Sequence, residues 1–190
     1  MRVSNQQAAE NRARVIEVSS RQFRQNGFDG IGIADLMKGA GMTHGGFYKQ
    51  FKSKDNLIEE ACTAAIEENL QFWEQASGGA DGASLGSLFA AYLSPTHSKA
   101  RDTGCLLAAL GADAPRSSGP IRQVFGKAIN AYSAVLERLL PDVATRSNRK
   151  QSLAVLSQMV GALILSRAVD DDAFSRDILE ATVADLQRRT

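Results

Sequence analysis

The stretch that most constrains the fold of this chain runs from residue 27 to residue 57, with the sequence GFDGIGIADLMKGAGMTHGGFYKQFKSKDNL. Near its start, apolar residues recur at i, i+3, i+4 and i+7, a spacing that predicts one buried face of a short helix. These residues are Ile33, Leu36, Met37 and Ala40. Gly41 follows them, and glycine commonly ends a helix because it enters the left-handed backbone region at low cost. The stretch therefore begins with a short helix and a tight turn.

A second short helix is expected directly after this turn. Thr43 has a side chain suited to capping a helix, which is then predicted to run from about residue 44 to residue 51. Phe47 and Phe51 are four residues apart and are expected to point inward. The opposite face carries His44, Gly45, Tyr48 and Lys49. Two short helices, a glycine-containing turn and a polar outer face are typical of a DNA-binding helix-turn-helix.

The pair Gly45 and Gly46 is unusual inside a predicted helix. Each glycine costs roughly 1 kcal/mol relative to alanine in a helix interior. One interpretation is that a bare backbone allows this helix to approach DNA closely. The other is that the helix begins later in the sequence, and the two interpretations stay open.

Ser53 is predicted to cap a long helix whose first turn contains Lys54. A cation in the first turn opposes the helix dipole and mildly destabilises the helix. A phosphate at the same helix start would instead be bound by the free N–H groups and by the ammonium group. The alternative is an ordinary solvated surface lysine.

Taken together, these residues resemble the signature of the tetracycline-repressor (TetR) family of bacterial regulators. The resemblance covers roughly residues 10 to 60, and the turn glycine, Tyr48, Phe51 and Lys54 stand at the family spacing. There are three departures. Ile31 and Gly32 replace the usual Thr or Ser at the start of the first helix of the motif, Met37 replaces an alanine, and the Gly-Gly pair matches only a subset of the family.

The resemblance implies a role for each residue of the motif. It implies that Thr43, Tyr48 and Lys54 contact DNA phosphates, and that His44, Gly45 and Lys49 face the base edges. The predicted DNA-binding set is completed by the second glycine of the pair. That set is Thr43, His44, Gly45, Gly46, Tyr48, Lys49 and Lys54.

The charge distribution agrees with a polyanion at one end of the chain. The net charge of the 190 residues is only +1. Residues 1–54 hold nine Lys or Arg and four Asp or Glu, whereas residues 55–190 hold 13 and 17, respectively. A basic N-terminal part on an acidic remainder favours a nucleic-acid partner.

The chain is predicted to be all-α, with about nine helices and no strand pattern. We expect a three-helix helix-turn-helix head in residues 1–53 and a larger helical domain for ligand binding and dimerisation in residues 54–190. No apolar run reaches the 18 or so residues of a membrane helix, and the polar N-terminus lacks a signal-peptide core. The sequence therefore predicts a soluble cytoplasmic protein without a membrane partner.

Neither a metal site nor a cofactor is expected. The chain has two cysteines, Cys62 and Cys105, and two histidines, His44 and His97. They form no CxxC or HxxxH spacing, so a structural zinc site is not predicted.

The final two helices, expected from about residue 145 to 168 and from 173 to 188, carry long apolar stripes. The family resemblance implies that this pair forms a four-helix dimer interface. A dimer would place two heads on the two half-sites of a palindrome, roughly 34 Å apart. The predicted interface residues are Leu153, Leu156, Val160, Leu163, Ile164, Ile178, Leu179, Thr182, Val183 and Leu186.

The remaining helices of the larger domain are expected, again from the resemblance, to enclose a ligand pocket for a small apolar or aromatic inducer. The candidate lining residues are Phe72, Trp73, Phe89, Tyr92, Cys105, Phe125 and Tyr132. Aromatic residues at helical spacing are more often plain core, which is the alternative for each position.

Cys105 supports a second hypothesis. It precedes a predicted apolar helix, and a helix N-terminus lowers a thiol pKa and favours the reactive thiolate. The segment resembles one in family members that sense electrophiles or oxidants through this cysteine. The alternatives are a buried inert cysteine and, for the whole chain, a helical enzyme with Cys105 as nucleophile and His97 as its base.

The preferred hypothesis is a ligand-responsive transcriptional repressor rather than an enzyme. Its partners would be a double-stranded DNA operator, a second copy of the chain and a small-molecule inducer. A helical ligand-carrying protein without DNA function is the remaining alternative.

Overall fold

The computed structural model describes residues 5–78, 84–141 and 148–189, and every regular element in these ranges is helical. The all-α prediction is confirmed. The α-helices are α1 (Asn5–Asn26), α2 (Ile33–Gly39), α3 (Lys54–Ala76), α4 (Leu85–Tyr92), α5 (Pro95–Lys99), α6 (Leu106–Leu110), α7 (Gly119–Leu139), α8 (Asn148–Ala168) and α9 (Asp172–Arg189). Two 3-10 segments, His44–Lys49 and Ala114–Arg116, complete the described elements.

Glycines end the first two helices of the head, and the end of α2 at Gly41 is as predicted. Gly27 after α1 and Gly41 after α2 have φ of +78° and +73°, values that residues with a Cβ rarely adopt. Ser53 caps α3, because its Oγ accepts a hydrogen bond from the Asn56 N–H at 3.1 Å. Gly32 stands at the N-cap of α2, where it supplies no side-chain bond.

Two local predictions are wrong. The segment His44–Lys49 is a 3-10 helix rather than an α-helix, and the Thr43 side chain does not cap it. Two glycines with low helix propensity at its start are the physical reason.

One continuous core joins the two parts of the chain. It extends from Val15 in α1 to Leu186 in α9. Helix α3 packs on α1 near the N-terminal part and on α7 further along the chain. Helices α8 and α9 pack on each other, and α8 also packs on α7. The predicted start of α8 near residue 145 lies outside the described residues. Across the described ranges, we find no helix with the length and apolar character needed to cross a membrane.

Candidate nucleic-acid interface and its junction with the body

Two buried phenylalanines anchor the inner side of the recognition segment, His44–Lys49. Phe47 and Phe51 are 0% and 2% exposed, as predicted, and their rings stack with centroids 5.6 Å apart. Arg12 of α1 lies over the Phe51 ring, 4.7 Å from its centroid. This arrangement fixes the segment on the core of the head through a single face.

The outer face of the recognition segment is open. Thr43, His44, Gly45, Tyr48 and Lys49 are all exposed. Tyr48 is 66% exposed, the highest value among the large apolar and aromatic side chains of the described residues. Its ring is oriented by edge contacts, 5.1 Å from the Phe47 ring and 6.0 Å from the His44 ring. An ordered, exposed aromatic phenol is well suited to contact a phosphate or sugar.

The two glycines of the recognition segment differ in their surroundings. A Cβ at Gly45 would meet nothing within 4 Å, whereas one at Gly46 would touch the Met37 Cε at 3.6 Å. Gly46 is only half-exposed and lies partly over the head. The backbone at Gly45 is therefore the part of the recognition segment that an outside partner can approach most closely.

Lys54 does not extend freely from the start of α3. Its ammonium group donates a hydrogen bond to the carbonyl oxygen of Phe28, and the side chain is partly buried. Lys54 thereby ties α3 to the segment that links α1 and α2. Its predicted contact with phosphate stays a prediction, and the observed role in this state is internal.

Behind this surface, Arg24 of α1 joins the head to the larger helical domain of residues 54–190, here called the body. Its side chain is 1% exposed and its Nη2 forms an ion pair with Glu68 of α3 at 2.6 Å. Its Nη1 donates to the carbonyl oxygens of Thr103 and Gly104, both at 3.0 Å. A planar guanidinium can serve several acceptors at once in this way. The rings of Phe28 and Phe125 meet edge-on nearby, with centroids 6.4 Å apart. We call this cluster, together with Phe28 and Phe125, the junction.

Asn69 extends the junction into the body. Its side-chain amide donates to the Gly104 carbonyl at 3.3 Å, and its Oδ1 accepts from the Leu106 N–H at 2.9 Å and the Tyr132 hydroxyl at 3.1 Å. Gly104 admits no Cβ, because one would lie 2.5 Å from the Ala100 carbonyl oxygen. The backbone around residue 104 is therefore held by side chains of two helices, α1 and α3.

His97 binds the same stretch of backbone at the next residue, Cys105. Its Nδ1 lies 2.7 Å from the Tyr92 carbonyl oxygen and its Nε2 accepts from the Cys105 N–H at 3.0 Å, which indicates a neutral ring protonated at Nδ1. The pKa of His97 is lowered to about 4, chiefly by burial and also by the neighbouring Arg167 guanidinium, whereas the hydrogen bond to the Tyr92 carbonyl acts in the opposite direction. Arg167 itself donates to the carbonyl oxygens of His97 and Ser98.

Cys105 does not have the predicted electronic environment. The thiol is buried, and burial raises its pKa rather than lowering it. Helix α6 has only five residues, so its dipole is too short to offset desolvation. Burial likewise raises the pKa of Cys62 to about 12. His97 cannot act as a base toward Cys105, since its free nitrogen accepts the backbone N–H of that residue.

Most of the predicted pocket residues form solid core. Trp73 stacks on Tyr132 at 5.0 Å and meets the Tyr92 ring edge-on at 5.6 Å. These three residues, together with Phe89 and Cys105, are at most 1% exposed. Phe72 borders a small cleft beside His97, and Phe125 lines a different and larger cavity. The sequence analysis correctly placed these aromatic residues in the interior, but it did not predict which of them line a cavity.

The larger cavity is an open groove between α6, α7 and α8, here called the α6–α8 groove. Its volume is about 600 Å³. Almost all of its lining is apolar. The lining residues are Leu107, Gly111, Ala112, Ala114, Pro115, Arg122, Phe125, Ile129, Leu153, Leu156, Ser157, Val160 and Ile164.

The predicted dimer residues separate into two groups. Leu156, Leu163, Leu179 and Leu186 are at most 4% exposed and pack inside their own chain, which corrects their assignment to an outer surface. The other six keep some exposure: Leu153, Val160, Ile164, Ile178, Thr182 and Val183. The sequence analysis missed the most exposed apolar residues of α8 and α9, Leu165 at 58% and Phe174 at 54%.

The sequence analysis also missed the polar residues of the junction, although one signal was present. Asn69 stands in the buried stripe of α3 that contains Cys62, Ala65, Ile66 and Trp73. A polar residue in such a stripe must find hydrogen-bond partners, because an unpaired buried polar group is costly.

The N-terminal part of the chain matches known regulators in sequence. Residues 15–61 match the family model described as bacterial regulatory proteins, tetR family. A 59-residue segment is 36% identical to the HTH-type transcriptional regulator AcrR of Shigella flexneri. This segment covers 31% of the chain and 27% of AcrR, so the match spans about a quarter of that relative.

Solved structures match over nearly the whole chain. The crystal structure of the reduced form of Escherichia coli NemR has a TM-score of 0.78 at 19% identity, covering 94% of this chain and 96% of NemR. A TetR transcriptional regulator from Chloroflexus aurantiacus gives 0.79 at 18% identity, with 96% of each chain covered. A TetR-family regulator from Cytophaga hutchinsonii gives 0.78 at 18% identity over 97% and 96%. At these identities the likeness shows a shared fold.

Proposed function

We propose that this chain is a transcriptional regulator of the tetR family of bacterial regulatory proteins and that it binds a palindromic DNA operator as a homodimer. The match of residues 15–61 to the family model and the 36% identity with AcrR over 59 residues support the proposal. In this proposal it is a cytoplasmic repressor, and a small apolar or aromatic inducer releases it from the operator. Residues 1–53 are the DNA-binding domain and residues 54–190 bind the inducer and the second copy.

The open face of the recognition segment carries this proposal. Tyr48 and Lys49 project from a short element whose inner side is anchored by Phe47 and Phe51, so they can enter a groove of DNA without disturbing the core. Gly45 leaves room for close approach of the backbone. Two such segments, one per subunit, would occupy successive major grooves of a palindrome.

The outer face of α8 and α9 supports the dimer. Leu165 and Phe174 expose large apolar side chains there, and single chains seldom leave such residues together without a partner. A Cβ at Gly161 would meet nothing within 4 Å, so a second helix can approach the α8 backbone closely at that point. These three residues are the centre of the proposed interface.

The long helix α3 supports a response to the inducer. It begins at Lys54, directly after the head, and ends at Ala76 in the body, so a tilt of its far end displaces the recognition segment. The inducer must bind the conformation with low DNA affinity more tightly, since equal affinity for both shifts nothing. By linkage, operator DNA weakens inducer binding by the same factor.

The thiol-sensing alternative gains no support from the site. The Cys105 thiol is buried and its pKa is raised, which disfavours the thiolate that reacts with electrophiles and oxidants. The inducer-binding mechanism is therefore the one proposed.

The experiment is a salt titration of DNA binding. An operator is first selected from a random-sequence duplex pool, and its affinity is measured by fluorescence anisotropy for wild type, Lys49→Ala and Arg176→Ala. We expect log Kd to rise steeply with log salt. Lys49→Ala removes a side chain that faces the base edges, so it should weaken binding to the selected operator by about 1–3 kcal/mol. Arg176 is an exposed body residue, so its variant should match wild type. Binding without salt dependence, or equal affinity for all three proteins, would contradict the proposal.

A further inference from the structure

Lys49 is the only lysine or arginine of the recognition segment, and its ammonium group has no partner inside the protein. The segment contains no Asp or Glu, and Lys49 is exposed. Within the residues that the structure describes, the ammonium group makes no hydrogen bond or ion pair. Lys54, in contrast, donates to the Phe28 carbonyl oxygen at 2.5 Å. Of these two lysines, Lys49 is therefore the one that is free to bind an outside partner.

The backbone of the recognition segment lets the Lys49 side chain extend without obstruction. In a 3-10 helix, residues three apart lie one above the other. Lys49 thus stands over Gly46, so no side chain of the segment lies against its aliphatic stem from the preceding turn. Gly45 is exposed and its Cβ position is open. With two bare backbone positions before it, Lys49 can reach the base edges in a groove rather than stop at the phosphates.

The chemistry of an ammonium group limits which base Lys49 can read. The group has three donors and no acceptor. In the major groove, guanine presents two adjacent acceptors, N7 and O6, whereas adenine presents one acceptor beside a donor. Thymine presents one acceptor beside a methyl group, and cytosine presents a donor. Guanine is therefore the base whose edge matches Lys49 best.

The neighbouring amide side chain, which would favour adenine, is turned away from the outer face. Glutamine pairs with adenine through both polar atoms of its amide. The Gln50 Nε2 donates to the Met42 Sδ at 3.6 Å, and the Gln50 Oε1 is buried without a hydrogen-bond partner among the described residues. This amide faces the head, so it does not compete with Lys49 at the base edges.

We propose that Lys49 reads a guanine in each half-site of the operator, with its ammonium group donating to N7 and O6 in the major groove. This inference rests on the proposed function and adds the base that the recognition segment selects. The competing role of Lys49 is a phosphate contact, which would carry no sequence information.

The first test asks which base the side chain selects. Operators are selected from the random-sequence duplex pool with wild type, Lys49→Gln and Lys52→Gln. Glutamine both donates and accepts, so Lys49→Gln should change one guanine of each half-site to adenine. Lys52 is an exposed lysine of the head outside the recognition segment, so Lys52→Gln is the matched control and should select the wild-type operator. An unchanged guanine, with affinity lowered equally for all sequences, would overturn the proposal.

The second test removes the acceptor from the DNA instead of the donor from the protein. Each guanine of the selected half-site is replaced in turn by 7-deazaguanine, which lacks N7, or by hypoxanthine, which keeps N7 and O6 and lacks only the minor-groove amino group. At one guanine, we expect 7-deazaguanine to weaken wild-type binding at least about fivefold and hypoxanthine to leave it unchanged. Lys49→Ala should bind the guanine and 7-deazaguanine operators equally at that position. Losses of the same size in wild type and Lys49→Ala at every guanine would contradict the proposed contact.

These measurements separate the contact from the proposed function. Circular dichroism establishes that each variant keeps its fold. A protein that selects no operator and binds DNA without salt dependence overturns the proposed function, and the contact with it. Tight, salt-dependent operator binding without a guanine that depends on Lys49 overturns the contact alone, and the proposed function stands.

Discussion

The recognition segment and the junction behind it are built in opposite ways. The recognition segment is a short 3-10 element, exposed on one side and anchored by Phe47 and Phe51 on the other. The junction is buried, and Arg24 and Asn69 satisfy backbone groups of a loop that lies about 80 and 35 residues away in sequence. The side chains on the outer face of the recognition segment make few bonds within the protein. In the junction, Arg24 and Asn69 each make several.

This difference assigns separate physical roles to the two regions. Side chains that make no internal bonds can be replaced with little change in stability, so they are free to be selected for contacts with a partner. A buried side chain that bonds to several acceptors is costly to remove, because each buried acceptor left unpaired keeps its desolvation penalty. Substitutions in the recognition segment should therefore change DNA affinity alone, and substitutions in the junction should change stability first.

The largest effect is expected at Arg24. Arg24→Ala leaves the Thr103 and Gly104 carbonyl oxygens without their donor and Glu68 without its cation. We expect a loss of about 3–5 kcal/mol in the free energy of unfolding, measured by urea denaturation, because each of the two orphaned carbonyl oxygens costs about 1–3 kcal/mol. Arg21→Ala is the control, since Arg21 is paired with Glu17 on the surface of the same helix and should cost less than about 1 kcal/mol. Similar small losses in both variants would remove the distinction between the two regions.

A smaller effect is expected from His97 and depends on pH. The folded chain keeps His97 neutral with a pKa of about 4, whereas the unfolded chain titrates near its ordinary value of 6.5. Between these pH values only the unfolded state binds the proton, so stability is full above pH 6.5 and falls as pH decreases toward 4. His97→Gln should lose roughly 2–3 kcal/mol less than wild type over this window. Parallel stability profiles for the two proteins would show that His97 is not held neutral in the fold.

The smallest effect on stability is expected at Gly45. Its Cβ position is open, so Gly45→Ala should leave the free energy of unfolding unchanged or raise it by up to about 1 kcal/mol. DNA affinity should nevertheless fall about tenfold, because the added methyl group separates the backbone from the base edges. Gly126→Ala in α7, where a Cβ also meets nothing, is the matched control and should bind DNA normally. Unchanged DNA affinity in Gly45→Ala would show that close backbone approach is not used.

The local features of the fold could be predicted from the sequence because short-range rules determine them. The ends of α1 and α2 at Gly27 and Gly41, the Ser53 cap and the inward pair Phe47 and Phe51 all follow from spacing and residue type. The 3-10 form of the recognition segment follows from the same glycines, but only after their low propensity is weighed against the expected helix.

The junction and the cavities could not be predicted in the same way. The bonds of Arg24 to Thr103 and Gly104 depend on how α1 packs against the body, and no local pattern encodes that packing. Periodicity also shows which residues face inward but not whether a gap remains between them. Trp73 and Tyr132 fill their space completely, whereas Phe125 borders an open groove, although all three stand in similar apolar stripes.

The most direct test of the account measures two quantities on the same pair of proteins, wild type and Tyr48→Ala. Anisotropy gives the affinity for the selected operator, and urea denaturation gives the free energy of unfolding. We predict that Tyr48→Ala weakens DNA binding at least about tenfold while stability stays within about 0.5 kcal/mol of wild type, because Tyr48 is 66% exposed and bound mainly by ring edges. Equal DNA affinity in the two proteins would contradict the claim that the recognition segment reads DNA.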